Sequence, residues 1–175
     1  MAVDWDKRGH VLASCHQQTV YCRVVGLGNS NNCGPFRDFS DRMQAQGCAH
    51  FILDFSSCEG VDSTFLGVLL GIAMSDGPRR PEVVVVNATR PVRRVLGEVG
   101  IDHLVQVCRD DVELPDIPLS RLEPTDATDA DRIGMMLTAH ENLCRLEGDN
   151  VERFGNFLRL LRAELAGRSG KSGDQ

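Results

Sequence analysis

Asp62, Ser63 and Thr64 stand directly before the run FLGVLLGIA, an acid and two hydroxyls ahead of an apolar segment broken only by glycine. At the start of a helix such side chains accept hydrogen bonds from N–H groups that have no partner within the helix. An anion would also be tolerated there, because the helix dipole and the free N–H groups favour negative charge. Capping alone accounts for the residue types, so the neighbouring residues must decide between the two readings. FLGVLLGIA is apolar on almost every helical face, which predicts a helix packed on a sheet on one side and screened from water on the other. Gly67 and Gly71 share one face. Each costs about 1 kcal/mol against alanine in an exposed helix interior, so close backbone approach is expected there, within the chain or with a partner.

Other side chains that could do chemistry are scattered. Seven cysteines, at 15, 22, 33, 48, 58, 108 and 144, form no CxxC or CxH pair, and the five histidines do not cluster along the chain. Reduced cysteines acting as small core side chains are expected, with no metal and no cofactor. GLGNSN resembles a dinucleotide loop, but Asn31 occupies the third glycine position of GxGxxG. Ser63 lies outside a GxSxG elbow, and no lysine follows LVQVC as a phosphoacceptor-aspartate receiver would require. The chain is not read as an enzyme.

The elements that must position Ser63 follow from the pattern of the sequence. VLASC and TVYCRVV flank the link HQQ as a β-hairpin, with Val20, Cys22 and Val24 on one face. FRDFSDRMQAQG reads as a helix through Phe36, Phe39 and Met43. HFILDF and EVVVVN read as strands covered on both faces. ATRPVRRVLGEVG has Pro91 near its start and Gly100 at its end, and LVQVC supplies the last strand. The order β-β-α-β-α-β-α-β over roughly residues 10 to 108 predicts an α/β fold, a small mostly parallel mixed sheet with covering helices. Ser63 then falls at the C-terminal edge of the sheet, where open α/β folds present functional groups. Asp54, ending a strand, is expected to accept hydrogen bonds from loop amides. Arg90, Arg93 and Arg94 follow the VVVV strand at the same edge and are expected as solvated charges.

Beyond that domain, RDDVELPDIPLSRLEPTDATDAD is an acidic, proline-containing linker. Ile133, Met136, Leu137, His140, Leu143 and Cys144 form one apolar stripe; Val151, Phe154, Leu158, Leu161 and Leu165 form another. Two amphipathic helices that fold back as a hairpin are predicted, with packing rather than ligation as the role of His140. Their stripes must be buried against the core, against each other or in a homodimer. The net charge of -6 opposes broad attraction to nucleic acid. No apolar run is long enough to span a membrane, and MAVDWDKRGH has no apolar leader, so a cytoplasmic protein is expected.

ILDFSSCEGVDSTFLGVLLG resembles, without a gap, the STAS domain of the anti-sigma factor antagonists, in which a strand ending Leu-Asp-Leu precedes Ile-Asp-Ser-Ser-Gly-Leu-Gly. Asp54 matches the acid of the strand, Asp62 the acid before the phosphorylated residue, Ser63 the phosphoacceptor, and Leu66 with Gly67 the following Leu-Gly. Phe65 stands where the family commonly has glycine, and Gly60 where a bulkier residue is frequent. The resemblance implies a partner-switching protein whose unmodified form binds a cytoplasmic anti-sigma factor with serine kinase activity, the ATP belonging to the kinase. It implies Ser63 as phosphoacceptor, with Thr64 second, and Asp62, Ser63, Thr64, Phe65, Gly67 and Arg90 at the partner surface. A STAS subunit of a signalling scaffold, or an accessory subunit of a transporter ATPase, is the alternative. The expected organisation is a STAS-like domain over 8–109, the linker over 110–128, the helical hairpin over 129–166 and a disordered tail over 167–175.

Overall fold

The computed structural model describes residues 9–76, 79–124 and 126–169. Strands β1 (His10–His16) and β2 (Thr19–Gly28) form the expected antiparallel hairpin. Gln17 and Gln18 turn it, both in the left-handed region at φ 49 and 64, a conformation whose twist matches that of the flanking strands. Helix α1 (Cys33–Ala45) and strand β3 (His50–Asp54) follow. The chain then forms β4 (Cys58–Val61), α2 (Ser63–Ala73), β5 (Glu82–Val86) and α3 (Arg90–Val99). A 3-10 turn over Ile101–His103 leads to β6 (Gln106–Val107). The linker contributes β7 (Ser120–Arg121) before α4 (Asp129–Cys144) and α5 (Asn150–Ser169).

The sheet runs β6-β5-β3-β2-β1-β7, with β4 pairing beside the end of β2. Strands β2, β3, β5 and β6 are parallel; β1 is antiparallel to both β2 and β7. In register, Ala13 lies opposite Cys22 and Cys22 opposite Leu53, so their side chains share one face. That face buries Val11, Ala13, Val20, Cys22, Val24, Phe51, Leu53, Val83 and Val85 in one core with Phe36 of α1 and with Phe65, Leu66 and Leu69 of α2.

The opposite face departs from expectation. Ile52 and Val84 are only half-buried, so β3 and β5 alternate instead of being covered on both sides. Leu114, Pro115, Asp116, Ile117 and Leu119 of the linker line a shallow cavity with Leu12, Tyr21 and Arg23 on this face. The linker is therefore not free. Asn87 grips it at both backbone groups of Val112, donating to its carbonyl at 3.0 Å and accepting from its N–H at 2.8 Å.

The C-terminal helices fold back as a hairpin, as the two stripes predict, and α4 lies along α2. Thr128 and Asp131 form a reciprocal capping box at the start of α4. The buried residues of α4 are Ile133, Met135, Ala139, His140 and Leu143, a stripe rotated from the expected one: Met135 and Ala139 are buried in place of the expected Met136 and Leu137, and Cys144 is only half-buried. Val151, expected to pack, is 61% exposed. Residues 167–169 continue α5 rather than beginning a tail; residues 170–175 lie outside the described residues.

Candidate functional site

Three elements meet at the start of α2. Strand β4 runs parallel to the end of β2, and the Asp62 N–H donates to the Gly28 carbonyl at 2.9 Å. This fixes Asp62 in an extended conformation as the N-cap, where Oδ1 accepts from the Phe65 N–H at 2.8 Å. The second oxygen, Oδ2, accepts from the Ser30 N–H at 3.0 Å. One carboxylate thus caps α2 and anchors the loop before α1. Within that loop Asn32 donates to the Leu27 carbonyl at 2.7 Å and accepts from the Asn29 N–H at 3.0 Å. GLGNSN is an asparagine-stitched turn leading into α1.

Ser63, half-buried, sits at the C-terminal edge of the sheet. Its Oγ lies 2.9 Å from Nε2 of His140 on α4. The other ring nitrogen of His140 lies 2.8 Å from the Met136 carbonyl, which can only accept. On the neutral ring the hydrogen therefore sits on Nδ1, and Nε2 accepts from the Ser63 hydroxyl. His140 is 2% exposed, and the rings of Phe154 and Phe157 on α5 meet it edge-on at 5.2 and 4.7 Å.

The other residues that the resemblance would put at a partner surface differ in exposure. Thr64 is buried, which leaves Ser63 as the more accessible hydroxyl of the two. Phe65 is fully buried, stacked on Phe36 with centroids 5.3 Å apart and edge-on to Phe55 at 6.4 Å. It is a core residue because the first turn of α2 rotates it toward the sheet and α1. Gly67 is buried against α4: a Cβ there would come within 2.1 Å of the Ala139 carbonyl oxygen. Arg90 is exposed at the start of α3. Thr89, beside it, donates to the Cys58 carbonyl and so ties α3 to the strand that leads to Asp62.

Asp54 does what was expected and more. Its Oδ1 accepts from the Ser56 N–H at 3.0 Å and from the Asn87 amide at 3.2 Å. Its Oδ2 accepts from the Arg23 guanidinium at 2.7 Å. Burial alone would raise its pKa, but the Ser56, Arg23 and Asn87 bonds outweigh burial and hold it below the usual carboxylate range. Burial pushes the Cys33 thiol up to about 12. Burial, followed by the contact with Cys15, pushes Cys48 up to about 11. The thiols are thus held in their unreactive protonated form. Among the described residues no group of three His, Cys, Asp or Glu side chains is placed to hold a metal ion, and no helix is long and apolar enough to cross a membrane.

The sequence did not single out Ala139 or Asn142, and it gave His140 only a packing role. The spacing of Gly67 and Gly71 signalled a close neighbour for α2. It could not say that α4 is that neighbour.

Comparison with known proteins agrees with this architecture. The family model described as "Mlab, STAS domain" matches residues 14–106, more than half of the chain. The chain belongs to the STAS family, and the match ends before the linker and the helical hairpin. Among solved structures, an anti-sigma factor antagonist from Mycobacterium paratuberculosis is similar over 63% of this chain and 92% of its own, with 17% identity and a TM-score of 0.50. The anti-sigma factor antagonist SpoIIAA in its unphosphorylated form is similar over 53% of this chain and 94% of its own, with 20% identity and a TM-score of 0.40. The first likeness shows a shared fold. A search of curated proteins finds no match.

Proposed function

We propose that this chain is an anti-sigma factor antagonist, a protein-binding switch controlled by phosphorylation of Ser63. The observation that carries the reading is the placement of Asp62 and Ser63. The resemblance of the sequence puts them on the family's acid and phosphoacceptor, and they stand at the capped start of α2, inside the span matched as a STAS domain. The name of the similar Mycobacterium paratuberculosis structure supports the same role. The partner is an anti-sigma factor with serine kinase activity, which supplies ATP; the switch itself needs no cofactor.

Phosphorylation would add about -1.5 to -2 charges at Ser63. At the start of α2 this charge meets the positive end of the helix dipole, worth about 0.3 to 1 kcal/mol, so the fold tolerates it. At a protein interface the same group must shed water or stand unpaired, a penalty of several kcal/mol. A loss of about 2.8 kcal/mol is a hundredfold in affinity. Binding, not folding, is the quantity the modification controls.

Co-purification from the native cell, with mass spectrometry of both partner and phosphosite, tests this directly. A serine-kinase anti-sigma factor should be recovered with the unmodified chain and with Ser63→Ala, and lost with Ser63→Asp. Equal affinity of modified and unmodified protein for that partner would refute the proposal. A second reading, a STAS subunit of a signalling scaffold or of a transporter ATPase, is favoured by one observation: α4 covers Ser63, and such a subunit needs no access to it. Recovery of scaffold or ATPase subunits in place of a kinase would select it.

A further inference from the structure

The hairpin of α4 and α5 lies outside the span matched as a STAS domain, yet α4 is seated on the helix that begins with Ser63. The contact is tight at Gly67 and looser beyond it, where a cavity of about 270 Å³ opens beside Gly71, Ala139 and Asn142. A Cβ at Gly67 would strike the Ala139 carbonyl oxygen at 2.1 Å, and one at Gly71 would stand 2.7 Å from the Asn142 side-chain nitrogen. Two hydrogen bonds latch α4 to α2, Ser63 to His140 at 2.9 Å and the Asn142 amide to the Gly67 carbonyl at 3.2 Å, and at the turn of the hairpin the buried Asn150 amide donates to the Val99 carbonyl of α3 at 3.0 Å. Small residues in backbone contact and side-chain hydrogen bonds line this side of α2, and Met135, Ala139 and Leu143 of α4 add apolar packing against the core. Its other side sends Phe65, Leu66 and Leu69 into the sheet core.

Phosphorylation of Ser63 removes this latch. It replaces the hydroxyl hydrogen that Ser63 donates to Nε2 of His140, so the bond is lost and two acceptor atoms are left facing each other at 2.9 Å. A protein contacting α2 along the Gly67 face would have to displace α4. The linker provides for such movement, since Asn87 and β7 hold it to the core upstream of α4. A lifted hairpin would therefore remain at high effective concentration and could close again.

We propose that the α4–α5 hairpin is an intramolecular lid over Ser63 and the adjoining face of α2, which must lift before a kinase or a partner protein can engage that edge. The proposal rests on the reading of this edge as the docking surface. The closed state lowers the apparent affinity of any such protein in proportion to the fraction of time the lid is open.

Hydrogen exchange followed by mass spectrometry on the full chain tests the lid without a partner. Alanine suits the interior of α2 as well as glycine or better, but in Gly67→Ala its methyl must push α4 away. Amides of α4 and α5 should then exchange roughly tenfold faster or more, while those of β3 and β5 stay within about twofold of wild type. His140→Ala, which removes the latch from the other side, should act in the same direction. The proposal is overturned if hairpin and sheet lose protection together in both variants, or if Gly67→Ala leaves α4 unchanged. It is equally overturned if α4 and the sheet of the wild type open as one unit. A lid that lifts in a chain that never recovers a kinase partner would sink the functional reading alone; Ser63 phosphorylation in a chain whose hairpin opens only with the sheet would sink the lid alone.

Discussion

The carboxylate of Asp62 accepts the backbone N–H of Ser30 across 32 positions of the chain, at 3.0 Å, while its other oxygen caps α2. The start of α1 and the start of α2 are therefore held by one side chain, and the position of Ser63 depends on both.

Replacing Asp62 by alanine should destabilise the fold by about 0.5–2 kcal/mol, the range for a lost helix cap. Asp62→Asn keeps an acceptor oxygen and should lose less. Urea unfolding of the two variants checks the order; equal midpoints for wild type and Asp62→Ala would show that the cap contributes nothing.

Phe65 is fully buried between Phe36 and Phe55. Phe65→Ala should cost about 3–5 kcal/mol. If this ring were a partner contact instead, the variant would melt near the wild-type temperature and lose only binding, a distinction a calorimetric scan makes.

Asp54 is 2% exposed and its carboxyl is held below the usual range, so its contribution is present above the unfolded value of 3.8 and is lost as pH falls through the folded value. Asp54→Asn, which leaves Arg23 without its charged partner, should cost about 1–3 kcal/mol at neutral pH. The stability gap between wild type and variant should close as the solution is acidified below pH 3.8. A gap that is constant with pH would show that the ionised carboxylate has no part in it.

At the alkaline end the sign reverses. Cys33 and Cys48 are raised from 9.0 to about 12 and about 11, so the protonated thiols favour the fold fully below pH 9, and that stability drains away as pH rises toward the folded values. Melting temperature should fall between pH 9 and 11, and less steeply in Cys33→Ala. Identical alkaline slopes for wild type and variant would contradict the assignment.

Much of this architecture is legible in the sequence where a local signal sets it. The alternation of Val20, Cys22 and Val24 predicts their shared face, Pro91 and Gly100 bracket α3, and the acid before Ser63 is a cap. Strand β4 is not legible, because Cys-Glu-Gly-Val has little β character and exists through its pairing with Gly26 to Gly28, far off in the chain. The buried face of α4 is misread for a related reason. Periodicity favours the bulkier Leu137, but Gly67 admits only a small neighbour, and Ala139 fills that place. The bond between Ser63 and His140 joins residues 77 apart, and no spacing rule connects them.

Both margins of the sheet end in strands of two residues, Gln106–Val107 on one side and Ser120–Arg121 on the other. The linker strand covers Leu12 and Ala13 of β1, which would otherwise present open peptide groups to solvent. Margins this short give an incoming chain almost nothing to zip onto. Concentrated solutions should accordingly resist fibril growth at these two margins, which leaves Ser14 to His16 of β1, past the reach of β7, as the stretch of edge where a backbone ladder can still add.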